Sequence, residues 1–113
     1  MSESLFPPFL KWGDYTSEDP KKPDVIKIKV KDLETFETEF SVNVTTLIEK
    51  DGKWDEINIP LKSHESKNSS LLDQWNRAVK SGKIKEGMEL VIKTYKAKSK
   101  NGRNIRRFSL EKI

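Results

Sequence analysis

The fold is decided by residues 40–61, which read FSVNVTTLIEKDGKWDEINIPL. Apolar and polar side chains alternate on both sides of Asp51-Gly52, and an Asp-Gly pair between two alternating runs is a strong hairpin signal. Pro60 cannot donate to a ladder, so the second strand is expected to end there or to lie at an edge or bulge. The residues predicted to point inward are Phe40, Val42, Val44, Thr46 and Ile48 in the first strand and Ile57, Ile59 and Leu61 in the second.

Upstream of this hairpin, residues 25–31 read VIKIKVK, which predicts a half-buried strand with its lysines outward. Residues 1–23 contain four prolines and several aromatic residues without a clear period. Proline disfavours a helix there, so an extended arm is predicted for residues 1–23 and a separate domain for 24–113.

A helix is predicted over residues 70–81, because its apolar residues fall on one face at helical spacing. Trp75 lies on that face and is predicted to be core, and Gly82 follows as a left-handed C-cap. The apolar face comprises Leu71, Leu72, Trp75, Ala78 and Val79.

Two further strands are predicted over residues 88–98 and 103–113, joined by a turn at Lys100-Asn101-Gly102. Phe108 and Leu110 alternate inward in the last strand, but Ile105 is out of phase with them. A bulge near Arg106 would explain the difference.

Three strands, a helix and a hairpin follow one another in residues 24–113, an order that resembles the OB-fold of single-stranded-DNA-binding proteins of the replication protein A and archaeal types. The resemblance implies a mostly-β, five-stranded OB-type Greek-key barrel with one helix between strands 3 and 4. It rests on element order and hairpin positions, since the OB-fold has no sequence signature. An SH3-like barrel and an α+β roll are the alternatives, and the amphipathic helix disfavours the first.

Composition narrows the class of function. The chain has no cysteine, and its one histidine, His64, lies in a polar loop, so neither a catalytic centre nor a metal site is expected. No glycine-rich phosphate loop indicates a cofactor. We expect a non-enzymatic protein that is intracellular and cytoplasmic, since residues 1–15 do not resemble a signal peptide and no apolar run is long enough to span a membrane.

Charge is distributed unevenly along the chain. Residues 83–113 hold ten Lys or Arg and three acids, a net charge of +7, whereas residues 1–82 carry −3. A basic end favours a polyanionic partner, and aromatic residues interleaved with the cations favour single-stranded nucleic acid, which is bound by phosphate neutralisation and base stacking. A basic hairpin tip that only blocks edge pairing is the alternative. DNA is favoured, with RNA open, because neither interaction reads the 2′-hydroxyl. The nucleic-acid-binding candidates are Trp54, Lys93, Tyr95, Lys96, Lys98, Lys100, Arg103, Arg106 and Arg107.

A second group of candidates comprises Trp12, Tyr15, Lys27 and Lys29. Trp12 and Tyr15 have two open readings, stacking on bases or plugging the barrel, and the lysines form an outward row on one strand. Trp54 is predicted to face outward as a stacking platform, with capping of the barrel end as its alternative.

Residues 32–39 form an acidic connector that would repel phosphate. Nucleic acid would then enter beside the last two strands, or this loop would engage a protein. The second possibility is the alternative function: an OB-type protein-interaction or accessory subunit without intrinsic nucleic-acid binding.

Overall fold

The computed structural model describes residues 7–98, 100–102 and 104–113. Their elements are β1 (Asp24–Val30), β2 (Phe36–Glu37), β3 (Ser41–Lys50), β4 (Lys53–Ser63), α1 (Ser70–Lys80), β5 (Glu89–Lys98) and β6 (Asn104–Lys112), preceded by a 3-10 turn (Trp12–Asp14). Within these residues the six strands form one antiparallel sheet, in which β3 pairs with β1, β2 and β4, β1 also pairs with β5, and β5 pairs with β6.

The protein is therefore mostly β, as predicted, but the sheet does not close into a barrel. Over the described ranges, β4 pairs with no strand except β3, and β6 with none except β5. Helix α1 packs against both of these strands and so lies across the opening.

The N-terminal segment also lies against this opening. Backbone hydrogen bonds of 2.8 Å join Leu10 N–H to the Asn58 carbonyl and Asn58 N–H to the Pro8 carbonyl on β4. Farther along, Lys96 N–H on β5 donates to the Ser17 carbonyl, also at 2.8 Å. Residues 8–17 thus run from the β4 edge to the β5–β6 hairpin, hydrogen-bonded at both ends.

The β3–β4 turn, helix α1 and the glycine that follows the helix agree with the sequence predictions. Asp51 and Gly52 both have positive φ, at 51° and 78°, as a tight β3–β4 hairpin turn requires. Helix α1 ends at Lys80, one residue earlier than predicted, and Gly82 follows with φ 72°. The side chain of Trp75 is 1% exposed, so its assignment to the core is confirmed.

The core lies between the inner face of the sheet and α1. Leu71 and Trp75 are the fully buried helix residues, while Leu72, Ala78 and Val79 are partly buried. The sheet contributes Ile26, Ile28, Val30, Val44, Ile48, Ile57, Ile59, Leu61, Leu90 and Ile92, and Leu10 and Ile84 complete the buried set.

The inward assignment of Phe40 and Val42 is wrong. The β3–β4 register shifts between Val42 and Asn43, so the alternation reverses there. Phe40 is 71% exposed, whereas Asn43 is fully buried and hydrogen-bonds with Ser41. The bulge lies at Pro60, Leu61 and Lys62 of β4, an edge strand of the sheet, so the prediction made from Pro60 is confirmed.

The bulge expected near Arg106 is absent. β5 and β6 pair in an unbroken register from Leu90–Lys112 to Lys98–Asn104. Ile105 therefore lies on the sheet face opposite to Phe108. The sequence suggested a bulge because an apolar residue was assumed to point inward.

Candidate nucleic-acid interface

Strand alternation divides the candidate residues of β5 and β6 between two faces. Thr94 and Ile92 are buried, so Lys96 shares their inner face, and Arg106 shares the inner face with Phe108. The opposite, outer face of the sheet carries Lys93, Tyr95 and Arg107, together with Lys27 and Lys29 of β1 and Trp54 of β4.

Trp54 is half-buried and packs beneath two lysines of β1. The Lys29 Nζ atom lies 4.4 Å from the Trp54 ring centroid, and the Lys27 Nζ atom lies 5.9 Å from it. This is the geometry of a cation–π contact. Lys27 is also 3.2 Å from the Glu49 carboxylate, whereas Lys29 forms no ion pair within the described ranges.

Tyr95 and Arg107 are direct partners across the β5–β6 ladder. Both line a surface hollow of about 440 Å³ whose other wall is formed by Pro20 and Pro23. Strands β3 and β1 lie between Trp54 and Tyr95, so the two aromatic rings occupy the same face without touching.

Lys93 stands in the same hollow but is engaged by an acid. Its Nζ atom is 3.1 Å from one oxygen of Glu111, and the Ser109 hydroxyl donates to the other at 2.9 Å. These two hydrogen bonds lower the pKa of Glu111, which keeps the carboxylate charged. Lys93 is therefore the cation of an exposed ion pair in this hollow.

The tip of the β5–β6 hairpin is basic, as the sequence indicated. Lys98 ends β5 and Lys100 lies in the turn, both exposed. Lys96 is half-buried on the inner face, and Arg103 lies outside the described residues.

Arg106 is turned toward the interior. Its Nη2 donates to the Tyr15 carbonyl at 2.8 Å and its Nη1 to the Thr94 hydroxyl at 3.2 Å. Burial lowers the pKa of Arg106, with Asp24 acting in the opposite direction. The guanidinium thus links the N-terminal segment to β5.

Trp12 and Tyr15 lie in a packed aromatic group. The Trp12 ring is 4.9 Å from that of Phe108 and 5.9 Å from that of Tyr15, and its indole N–H donates to the Pro60 carbonyl at 2.8 Å. Burial, followed by Asp14 and Asp24, raises the pKa of Tyr15. This arrangement corresponds to the plugging reading of the two residues, and stacking on bases stays a prediction.

The acidic connector 32–39 contains a two-residue strand that the sequence did not indicate, because two residues show no period. Phe36 of β2 contacts Phe9 edge-on, with ring centroids 6.3 Å apart. Phe9, Phe36 and Phe40 are 43%, 38% and 71% exposed. His64 lies beside this connector, with Nε2 2.9 Å from the Thr38 carbonyl oxygen and 3.9 Å from the Glu37 carboxylate.

Neither a metal-binding cluster nor a membrane-spanning helix is found in the part of the chain that the structure describes. No three histidine, aspartate or glutamate side chains there are grouped to hold an ion. No helix in residues 7–98, 100–102 and 104–113 is long and apolar enough to cross a membrane.

Comparison with known proteins gives no relative: no family model, no curated protein and no solved structure matches this chain.

Proposed function

We propose that this protein is a non-enzymatic, OB-type protein that binds single-stranded nucleic acid along the outer face of the sheet. DNA is the favoured ligand, with RNA open. The pairings β1–β3, β3–β4, β1–β5 and β5–β6 support the OB-type reading. An OB barrel is partly open, so the gap between β4 and β6 is compatible with it.

The observation that carries the proposal is a pair of partly exposed aromatic side chains, each next to a cation, on one face. Trp54 lies beneath Lys29, and Tyr95 stands opposite Arg107. Single-strand binding needs flat rings for bases and cations for phosphates, and this face supplies both. A base that stacks on Trp54 would displace Lys29 toward a neighbouring phosphate.

The charge on this surface sets the expected strength of binding. Lys27, Lys31 and Lys93 are paired with Glu49, Glu56 and Glu111. If each unpaired cation neutralises one phosphate of a single strand, the log–log salt slope is about −3. The cations of the outer face and tip that form no ion pair within the described ranges are Lys29, Lys98, Lys100 and Arg107.

Tryptophan fluorescence tests the proposal directly. Trp75 is buried and Trp12 is half-buried against Phe108 and Tyr15, so quenching by bases on the outer face should come from Trp54. Titration with oligo-dT should quench the emission, while a duplex of matched length should not, and Trp54→Phe should abolish the quenching. Silence with oligo-dT across salt concentrations would contradict the proposal.

Stacking and charge are separated by variants of the aromatic residues. Trp54→Ala and Tyr95→Ala should each cost about 1–3 kcal/mol of oligo-dT affinity without changing the salt slope, because stacking releases no phosphate counterions. Phe40→Ala is the matched control, since it removes an exposed aromatic ring that lies directly after the acidic connector 32–39. If all three variants bind oligo-dT with equal affinity, Trp54 and Tyr95 do not stack on bases.

The basic tip is tested by its charge. The double variant Lys98→Gln with Lys100→Gln should weaken binding uniformly across sequences and reduce the salt slope by about 0.7 for each phosphate that is no longer neutralised. Lys83→Gln with Lys85→Gln removes the same charge near the end of α1 and should leave the slope unchanged. If both pairs reduce the slope equally, binding is diffuse attraction rather than a site.

A second candidate function has its own supporting observation. Phe9, Phe36 and Phe40 are exposed beside the acidic connector 32–39, a combination suited to a partner protein and unsuited to phosphate. In this reading the chain is an interaction or accessory subunit without nucleic-acid binding. Oligo-dT binding by the wild-type chain would contradict this reading. A stable variant Phe36→Ser with Phe40→Ser that binds oligo-dT as well as wild type would show only that this surface takes no part in nucleic-acid binding.

A further inference from the structure

A second basic surface lies at the end of the β5–β6 ladder opposite to the hairpin tip. It is an open pocket of about 660 Å³ between the end of α1, the turn that follows it, the start of β5 and the end of β6. Its floor is apolar and consists of Ala78, Ile84, Met88, Leu90 and Leu110. Its charged rim consists of Arg77, Lys83, Lys85 and Lys112, all exposed.

The turn after α1 creates this arrangement. Gly82, with φ 72°, reverses the chain, and Lys83 N–H donates back to the Ala78 carbonyl at 2.9 Å. Ile84 is thereby buried at 4% exposure, while Lys83 and Lys85 on either side of it stay in solvent. An apolar floor flanked by lysines follows directly from this cap.

The side chains that line the pocket carry more positive than negative charge. Glu111 is the one acid among its described lining residues, against four cations. Both Glu111 oxygens are engaged, one by Lys93 and the other by the Ser109 hydroxyl. The four rim cations are therefore available to an incoming anionic partner.

We propose that this pocket docks an acidic amphipathic segment of a partner protein. An apolar floor fits the apolar side chains of such a segment, and the surrounding cations complement its carboxylates. Nucleic acid fits poorly, because no aromatic side chain is among the described lining residues and bases would have nothing flat on which to stack. A small ligand would need fixed polar groups, whereas the rim consists of exposed, flexible side chains.

The probe is a synthetic peptide of about 16 residues, long enough for a helix of roughly 24 Å, with Leu and Phe on one face and Asp and Glu on the other. A peptide of the same composition in shuffled order is its control. Titrated into isotope-labelled protein, the amphipathic peptide should shift the amide resonances of Ala78, Gly82 and Met88. It should bind at least about tenfold tighter than the shuffled peptide, since only one of them presents a continuous apolar face.

Variants assign the binding to the pocket. Lys83→Gln with Lys85→Gln should weaken peptide binding about fivefold, the combined effect of two surface ion pairs. Met88→Gln should also weaken peptide binding, because it places a polar side chain in the apolar floor of the pocket. Lys98→Gln with Lys100→Gln, an equal loss of charge at the hairpin tip, should leave it unchanged, and thermal melting of each variant shows that the fold is intact.

Three results would overturn the proposal. The shuffled peptide could bind as tightly as the amphipathic one, which would reduce the pocket to charge attraction. The shifts could fall elsewhere or be absent. Oligo-dT could displace the peptide and shift the same amides, which would assign the pocket to the nucleic-acid path.

Discussion

Two adjacent arginines show how much a single strand position decides. Arg106 and Arg107 are identical in chemistry, and the sequence placed both in the basic patch. Strand alternation turns Arg106 inward, where it donates to Tyr15 and Thr94, and leaves Arg107 exposed beside Tyr95. Only the unbroken β5–β6 register separates them, and the out-of-phase Ile105 obscured that register.

Lysine substitution at the two positions is therefore expected to have different effects. Arg106→Lys loses the planar fork that reaches two acceptors at once, so the free energy of unfolding should fall by about 1.5–3 kcal/mol. Arg107→Lys keeps an exposed cation and should stay within about 0.5 kcal/mol of wild type. Chemical denaturation measures both, and equal stabilities for the two variants would contradict the internal role of Arg106.

At the residue scale, the sequence also failed to predict a contact between side chains of different strands. Alternation from Ile57 and Ile59 predicted that Trp54 points outward, away from the core, and its place on the outer face agrees. Its contact with Lys29 could not be predicted, because it depends on β1 and β4 both pairing with β3 in a defined register. Alternation alone predicts on which face of the sheet a side chain lies, but it does not predict which side chains it contacts.

At the scale of elements, segments with a strong apolar period were predicted correctly, whereas short segments and segments without a period were not. The strands and the helix were predicted to within a few residues, because each has an alternating or helical apolar pattern and a recognisable turn. Strand β2 and the pairing of residues 8–17 were missed, because backbone hydrogen bonds such as Leu10 to Asn58 leave no period in the sequence. The basic pocket was missed for a related reason: Lys112 at the end of β6 is far in sequence from Arg77 and Lys83 around the end of α1.

Helix α1 depends on Trp75 for its attachment to the sheet. The ring is fully buried, and its indole N–H donates to the Leu33 carbonyl at 3.2 Å, so it also holds the start of the acidic connector. Trp75→Ala should lower the free energy of unfolding by about 3–5 kcal/mol through the cavity that it leaves. Leu72→Ala, on a partly buried neighbour, should cost less. An unchanged melting temperature in Trp75→Ala would mean that the helix is not anchored there.

The whole molecule is an open sheet, and two segments cover the gap between β4 and β6. Helix α1 contacts the two strands that border the gap, and residues 8–17 hydrogen-bond to β4 and to the β5–β6 hairpin. Leu10 is 7% exposed and Trp12 packs against Phe108, so the N-terminal segment contributes apolar burial as well as backbone pairing. An uncovered β4 edge would present unpaired N–H and C=O groups to other molecules.

Removal of residues 1–16 tests this role of the segment. The free energy of unfolding should fall by about 2–5 kcal/mol, the scale of one or two large apolar side chains. The exposed edge of β4 should also promote self-association, which sedimentation or light scattering detects as a concentration-dependent mass. Phe9→Ala is the matched control, since it removes a 43%-exposed ring and keeps the backbone bonds to Asn58. If the truncated protein is as stable and as monomeric as the control, the segment merely lies on the sheet; if both quantities change, it is part of the fold.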